Sequence, residues 1–411
     1  MTTSHNSKHI KVALVASAMN CGGLETYLLT LSKELRNKNF EVTIVLTDNK
    51  GVWFKKIKEY NIKVKYIPGY NFFRKFIPFG ILIHAISVGL IIKLTGFDFI
   101  FINHSKSAQF SIFLLSKKVR IFSVLHNDNP EIFRVGLFNH IYLTASICVS
   151  DKVREVAINY IPEFKCITIY NGIEIRNTDF KQFKVGDSLR IIFVGRIIEE
   201  QKGVFLIPLI LSELRKTQIP FKAIIIGDGP DLQELKSKIS KFDLDDFVVF
   251  YGRLNNEEVM KKLISSHIFL MPSYYEGLPI ALLEGMSMAC VPIVSNLKGI
   301  TNICIKNGIS GFLIDNRDVM QYVEIIKFLY NNQNEFNLIR KNAKDIIVNY
   351  FSSEYMGKQY IDIIEGRRKF ILKTNFHKVF YKTKLFSKKE YFPRFVNIIN
   401  IKKLSRFQNL K

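Results

Sequence analysis

Two charged pairs in the second half of the chain have residue types and spacings suited to chemistry: Arg196 with Lys202, and Glu276 with Glu284. Arg196 closes an apolar, strand-like run in Gly195-Arg196, and Lys202 follows in Glu200-Gln201-Lys202-Gly203, at an expected helix start. A planar guanidinium fork and a point charge near helix amides suit a diphosphate, whose charge they would neutralise as it departs. Glu276 stands in Ser273-Tyr274-Tyr275-Glu276-Gly277-Leu278-Pro279, expected as the loop before a helix, and Glu284 falls about two turns inside that helix on an otherwise apolar face. A carboxylate so placed suits a polyhydroxylated ligand, because it can accept two hydroxyl hydrogen bonds. Glutamates at this spacing often arise as surface charges, but Gly277 and Pro279 at a helix start, with the basic pair upstream, favour a site.

Other loops carry weaker signals. Gly22-Gly23, inside Ser17 to Thr26, lets backbone approach a ligand and opens a helix whose amides suit a phosphate or sugar oxygen, although Gly-Gly is often only a turn. His126-Asn127-Asp128-Asn129 is a polar cluster able to hydrogen-bond a sugar hydroxyl. Gly227-Asp228-Gly229-Pro230 is compatible with backbone near a nucleotide, and Arg253-Leu254 in Tyr251-Gly252-Arg253-Leu254 could flank a base; a plain strand-end turn explains either as well.

The elements that must position these loops are legible as alternating strand-like and helix-length runs. In the first half the strand-like runs are Val12–Ala16, Glu41–Leu46, Asp98–Asn103, Arg120–Leu125 and Ser146–Val149. After a polar stretch from Ile175 to Asp187 the pattern restarts with Leu189–Val194, Phe221–Ile226, Phe247–Phe250, Ile268–Met271 and Val291–Val294. Strands at this spacing imply right-handed βαβ units and a parallel sheet, and the restart implies two doubly wound α/β domains in series. Such domains hold ligands beyond the carboxyl ends of their strands, which is where the loops above fall. The expected divisions are 1–174, 175–350, a closing helix over 351–366 and a tail over 367–411.

The 411 residues suit two or three domains of roughly 150 residues, and 48% hydrophobic with 23% charged residues excludes a disordered chain. The net charge of +23 predicts an anionic partner. The tail from Arg367 to Lys411 holds fourteen Lys and Arg against one acid, Glu390, interleaved with aromatics such as Phe370, Phe376, Tyr381 and Phe392. That mixture suits an anionic membrane surface; a solvated tail is the bland alternative, and without a recognition module no nucleic acid is expected as partner. Five scattered cysteines in no CxxC pair fit a reducing compartment, and the polar N-terminus carries no apolar signal region, so a cytoplasmic location is expected. Phe76 to Ile92 lacks charge and barely reaches spanning length; with His84, two glycines and Pro78 it reads as a buried or membrane-grazing helix.

Taken together and in order, Gly22-Gly23-Leu24-Glu25-Thr26, His126, Tyr170-Asn171-Gly172-Ile173, Gly195-Arg196, Lys202-Gly203, Gly227-Asp228-Gly229-Pro230 and the Glu276/Glu284 pair resemble the retaining nucleotide-sugar glycosyltransferases of family 4. The resemblance covers about Ile10 to Glu365. It implies the GT-B fold, two Rossmann-like domains facing across a cleft, here with a basic C-terminal extension. It implies a nucleotide-sugar donor such as a UDP-sugar, no required cofactor and no metal site. Arg196 and Lys202 would bind the donor diphosphate, and Glu284 the ribose hydroxyls. Glu276 with the Gly277–Leu278–Pro279 backbone would address the transferred sugar and its phosphate; His126 would contact that sugar from across the cleft, and Gly22–Gly23 would meet phosphate or acceptor. Gly227, Arg253 and Leu254 complete the expected donor-side set. The chain departs from the family pattern at Gly285, usually Ala, and at Cys290, usually Gly.

The expected setting is a lipid-linked saccharide acceptor at the inner face of the cytoplasmic membrane, in assembly of a bacterial surface polysaccharide. Two other functions fit parts of the sequence: a nucleotide-sugar epimerase of similar fold, and a non-catalytic membrane or nucleic-acid-binding protein.

Overall fold

The computed structural model describes residues 9–367 except 21, 77–79, 177 and 185. Beyond Arg367, the basic aromatic tail lies outside the described residues. The first parallel sheet contains β1 (Lys11–Ala16), β2 (Glu41–Leu46), β3 (Lys63–Tyr66), β4 (Phe99–Asn103), β5 (Arg120–Leu125), β6 (Ala145–Cys148) and β7 (Cys166–Thr168), ordered β3-β2-β1-β4-β5-β6-β7. The second contains β8 (Leu189–Val194), β9 (Phe221–Ile226), β10 (Val248–Gly252), β11 (Ile268–Met271), β12 (Val291–Ser295) and β13 (Phe312–Ile314), ordered β10-β9-β8-β11-β12-β13. Every pairing is parallel. Helices cover both faces, which is why β1 and β2 are almost wholly apolar and buried along their length rather than alternating.

Strand order reverses between β1 and β4 in one sheet and between β8 and β11 in the other. At such a switch point the two adjoining connections leave on opposite faces and open a crevice past the strand ends. The crevices therefore open beyond Ala16 and Asn103 on one side and beyond Val194 and Met271 on the other.

Two adjacent chain crossings join the halves. Ile173 donates its N–H to Phe351 O (3.0 Å) and accepts from Ser353 N (2.7 Å). Gly172 lies against this crossing, where a Cβ would stand 2.4 Å from Ser352 O. The helix Ser353–Ile364 then returns to the first half, where Tyr360 Oη meets Tyr27 Oη at 2.5 Å and Ser353 Oγ donates to Glu34 Oε1 at 2.6 Å.

The structure alters several expectations. The edge strands β3, β7 and β13 escaped the sequence reading, because β3 (Lys63–Tyr66) is interrupted by two lysines and β7 and β13 have only three residues each. The apolar segment expected over Phe76 to Ile92 is a helix at Gly80–Thr95, preceded by Tyr70–Phe76. His84, which weighed against a membrane span, is fully buried, its Nδ1 2.9 Å from Ser107 Oγ. Among the described residues no helix is long and apolar enough to cross a membrane. Lys202 sits at the end, not the start, of a four-residue helix, Glu199–Lys202, that Gly203 closes at φ +58°; Pro272 O would lie 2.3 Å from a Cβ there.

Candidate active site

The two crevices face one another across a cavity of about 780 Å³. Its first wall comes from loops after β1, β2, β4 and β5: Asn20, Gly22, Gly23, Trp53, His104 and His126. Its second wall carries Arg196, Lys202, Gly227, Arg253, Glu276 and Glu284. Leu254, Gly277, Leu278 and Pro279 also line it, so the fold brings every site residue expected from sequence to one cleft.

Contact between the walls is close. A Cβ on Gly277 would fall 1.8 Å from His126 O, so only glycine allows the loop before the helix Ile280–Ser287 to meet the β5 loop. A Cβ on Gly23 would touch Ile280 at 3.8 Å, setting the first turn of the helix Gly23–Arg36 opposite that of Ile280–Ser287. Opposed helix N-termini present unpaired amides to the cleft and favour an anion there. Asn171 Nδ2 spans the seam to Leu278 O at 2.9 Å.

Charge on the second wall is paired. Lys202 Nζ donates to Glu276 Oε1 at 2.5 Å, with the two side chains only 14% and 6% exposed. Ser273 Oγ donates to the same oxygen at 2.8 Å. Both bonds fall on Oε1, so Oε2 keeps its acceptor capacity for a ligand hydroxyl. Arg196 is exposed beside this pair. Arg253 Nε meets Asp228 Oδ2 at 3.1 Å, and Gly227, at φ +142°, lets the β9 loop stand against Gly195 O, which would be 1.8 Å from a Cβ.

Glu284 is buried, and burial pushes its carboxyl up to about 7 despite a hydrogen bond from Asn256 Nδ2 (2.8 Å) and the charge of Arg176. Asn256 was missed from sequence; its signal was a polar residue just after the β10 end, beyond Arg253. The departure at Gly285 has a local cause, since a Cβ there would lie 2.6 Å from the Phe269 ring. Cys290 Sγ donates to Leu263 O at 3.1 Å, and burial pushes its thiol up to about 12.

On the first wall, Asn103, the last residue of β4, is wholly buried and its Oδ1 lies 2.8 Å from His126 Nε2. Burial, with His104 adding, holds His126 well below the ordinary imidazole range. His104 is in the left-handed region at φ 51°, burial lowers it to about 4, and its Nε2 is buried without a partner. Neither Asn103 nor His104 was identified from sequence. Among the described residues no group of three or more His, Cys, Asp or Glu could hold a metal ion.

The family model described as Glycosyltransferase Family 4 matches residues 21–177, and that described as Glycosyl transferases group 1 matches 174–346. The chain belongs to the family 4 glycosyltransferases. Its relatives include the Escherichia coli UDP-Gal:alpha-D-GlcNAc-diphosphoundecaprenol alpha-1,3-galactosyltransferase, 27% identical over 242 residues, which are 54% of this chain and 62% of that enzyme. The amylovoran biosynthesis glycosyltransferase AmsK of Erwinia amylovora is 28% identical over 183 residues, 43% of this chain and 44% of that one. The match thus spans less than two thirds of either relative. Among solved structures, Anabaena HepE in complex with UDP and glucose superimposes with a TM-score of 0.72 at 16% identity, covering 87% of this chain and 100% of that chain. The pneumococcal O-GlcNAc transferase GtfA in complex with UDP and GlcNAc gives 0.70 at 12%, covering 87% and 99%. At these identities the likeness establishes the fold, and this family 4 glycosyltransferase has the GT-B architecture.

Proposed function

We propose that the chain is a retaining transferase that moves a sugar from a nucleotide diphosphate sugar, a UDP-sugar, to a lipid-linked glycan at the cytoplasmic membrane face, in bacterial surface polysaccharide assembly. The observation that carries this reading is the Lys202–Glu276 pair in the cleft beside Arg196, with Glu284 buried in the same wall. Names of relatives support donor and acceptor: one uses UDP-Gal and a diphosphoundecaprenol-linked sugar, another acts in amylovoran biosynthesis.

In this reading the donor diphosphate lies between Arg196 and Lys202, against the amides that open Ile280–Ser287. As the glycosidic bond stretches, negative charge grows on the departing phosphate, and the fixed cations and amides stabilise it more than they stabilise bound donor. Glu284 and Asn256 hold the ribose hydroxyls; Glu276, oriented by Lys202 and Ser273, accepts from hydroxyls of the transferred sugar. His126 faces that sugar from the opposite wall. The acceptor hydroxyl loses its proton to the departing phosphate, and the close walls limit attack by water.

A nucleotide-release screen with UDP-, GDP- and ADP-sugars, with and without a membrane lipid extract, tests it. Release that needs one donor and the extract, and that is lost in Glu276→Ala and Arg196→Ala, is the expected result. A free sugar product without acceptor would place the protein among epimerases, and failure of all donors to bind would overturn the reading.

A further inference from the structure

The helix Gly80–Thr95 covers one face of the first sheet with only half of its circumference. On its buried side Val88 and Ile92 join Ala13, Val15, Ile100 and Ile102 of β1 and β4 in one apolar cluster, and Ala85 is buried as well. Its other side is also apolar, yet uncovered: Leu82, Ile83, Ile86, Leu90 and Leu94 are exposed, Ile86 by 47%, Leu90 by 48% and Leu94 by 86%. Spacing by four from Leu82 to Leu94 makes these one stripe along the helix, and Phe72 of the preceding helix, exposed by 58%, belongs to the same helical pair. A continuous apolar stripe on a soluble surface marks an interaction site.

Charge identifies the occupant. No acidic residue stands between Glu59 and Asp98, while Lys63, Lys65, Arg74, Lys75 and Lys93 fall within that stretch. Arg74, Lys75 and Lys93 are exposed at the ends of the two helices that carry the stripe. An apolar face on a stretch whose only charges are cations suits an anionic bilayer surface, where side chains enter the acyl boundary while Lys and Arg meet headgroups. The helix is too short to span, which leaves it lying in the interface. We infer that Gly80–Thr95, with Phe72 and its flanking cations, is a membrane-docking face built into the first domain and separate from the C-terminal tail. This inference rests on the membrane-bound reading above and names the surface that would carry it. Because the buried side of the helix packs on the helix Lys106–Ser111 and shares an apolar cluster with β1 and β4, docking through it would also fix the domain's orientation on the lipid.

The full chain has one native tryptophan, Trp53, in the cleft wall, so a second introduced as Leu90→Trp reports the stripe. With phosphatidylglycerol vesicles, Leu90→Trp should show added blue-shifted emission that brominated phosphatidylglycerol quenches, whereas phosphatidylcholine should give little change. Ile86→Glu combined with Leu94→Glu should reduce flotation at least tenfold, with transfer to a soluble acceptor analogue unchanged. Flotation of the full chain without quenching at position 90, and unaffected by the glutamates, would assign binding to the tail and overturn the inference while leaving the membrane reading intact. Absence of flotation would overturn both. Self-association lost in the glutamate variants, without lipid binding, would make the stripe a contact between copies and overturn it too.

Discussion

Asn103 decides which nitrogen of His126 carries its proton. The Asn103 amide nitrogen donates to Val15 O (3.3 Å) and Phe101 O (3.1 Å), which fixes its Oδ1 as the atom 2.8 Å from His126 Nε2. An amide oxygen only accepts, so Nε2 must be the protonated nitrogen, and in the neutral ring Nδ1 is left as an acceptor. Burial keeps the ring neutral.

Replacing Asn103 with Asp puts a carboxylate against Nε2 and favours imidazolium, so the His126 titration should rise toward or above its usual range. Nitrogen-15 NMR of the histidine side chains checks this: wild type should stay in the Nε2-protonated neutral form from pH 5 to 8, and Asn103→Asp should titrate inside that window. Transfer by the variant should become pH-dependent there and fall at least tenfold.

Gly277→Ala would push a methyl group into His126 O across the cleft. The two sheets should fold as before, while the walls separate. Small-angle scattering should show a larger radius of gyration, and transfer should drop about a hundredfold, since displacements near 1 Å have that effect on oriented reactions.

Lys202→Met removes one partner of a mostly buried ion pair and strands the Glu276 carboxylate, at a cost of about 3–5 kcal/mol in stability. Adding Glu276→Gln should restore most of that stability in urea unfolding without restoring transfer. Equal stability in the single and double variants would show that the pair is not coupled.

Glu284 has its carboxyl raised to about 7 in the fold, above the unfolded value. Its ionised form is therefore disfavoured by folding, so its contribution to stability falls as pH rises from the unfolded value through 7. In the proposed reading ribose hydroxyls would donate to the carboxylate, so nucleotide affinity should run the other way, rising between pH 6 and 8 and then levelling. Calorimetric titration of UDP should show this rise, and Glu284→Gln should bind more weakly with that dependence abolished.

Phe269 leaves no room for a side chain at residue 285. Gly285→Ala should lower stability by about 1–3 kcal/mol through overpacking, even though alanine favours helix. Thermal unfolding of Gly285→Ala alone and with Phe269→Leu checks it, because the smaller ring-free partner should relieve the loss.

Local chemistry was written into the sequence. Largely apolar runs of four to six residues showed the central strands, since a strand buried on both faces must be apolar throughout. Gly277, Pro279 and the paired charges revealed the second wall, because loops after parallel strands are where ligands bind. Short edge strands were hidden, as their pairing rather than their composition defines them. The tertiary structure alone decided what depends on residues distant in sequence. It set Lys202 against Glu276 instead of leaving it free, placed Asn103 against His126, brought Gly277 to the opposite wall, and turned half of an apolar helix outward. The first three are contacts between side chains or backbones on different βαβ units and the last is a face left without one, and only the closed packing of those units fixes which groups lose water and which partners replace it.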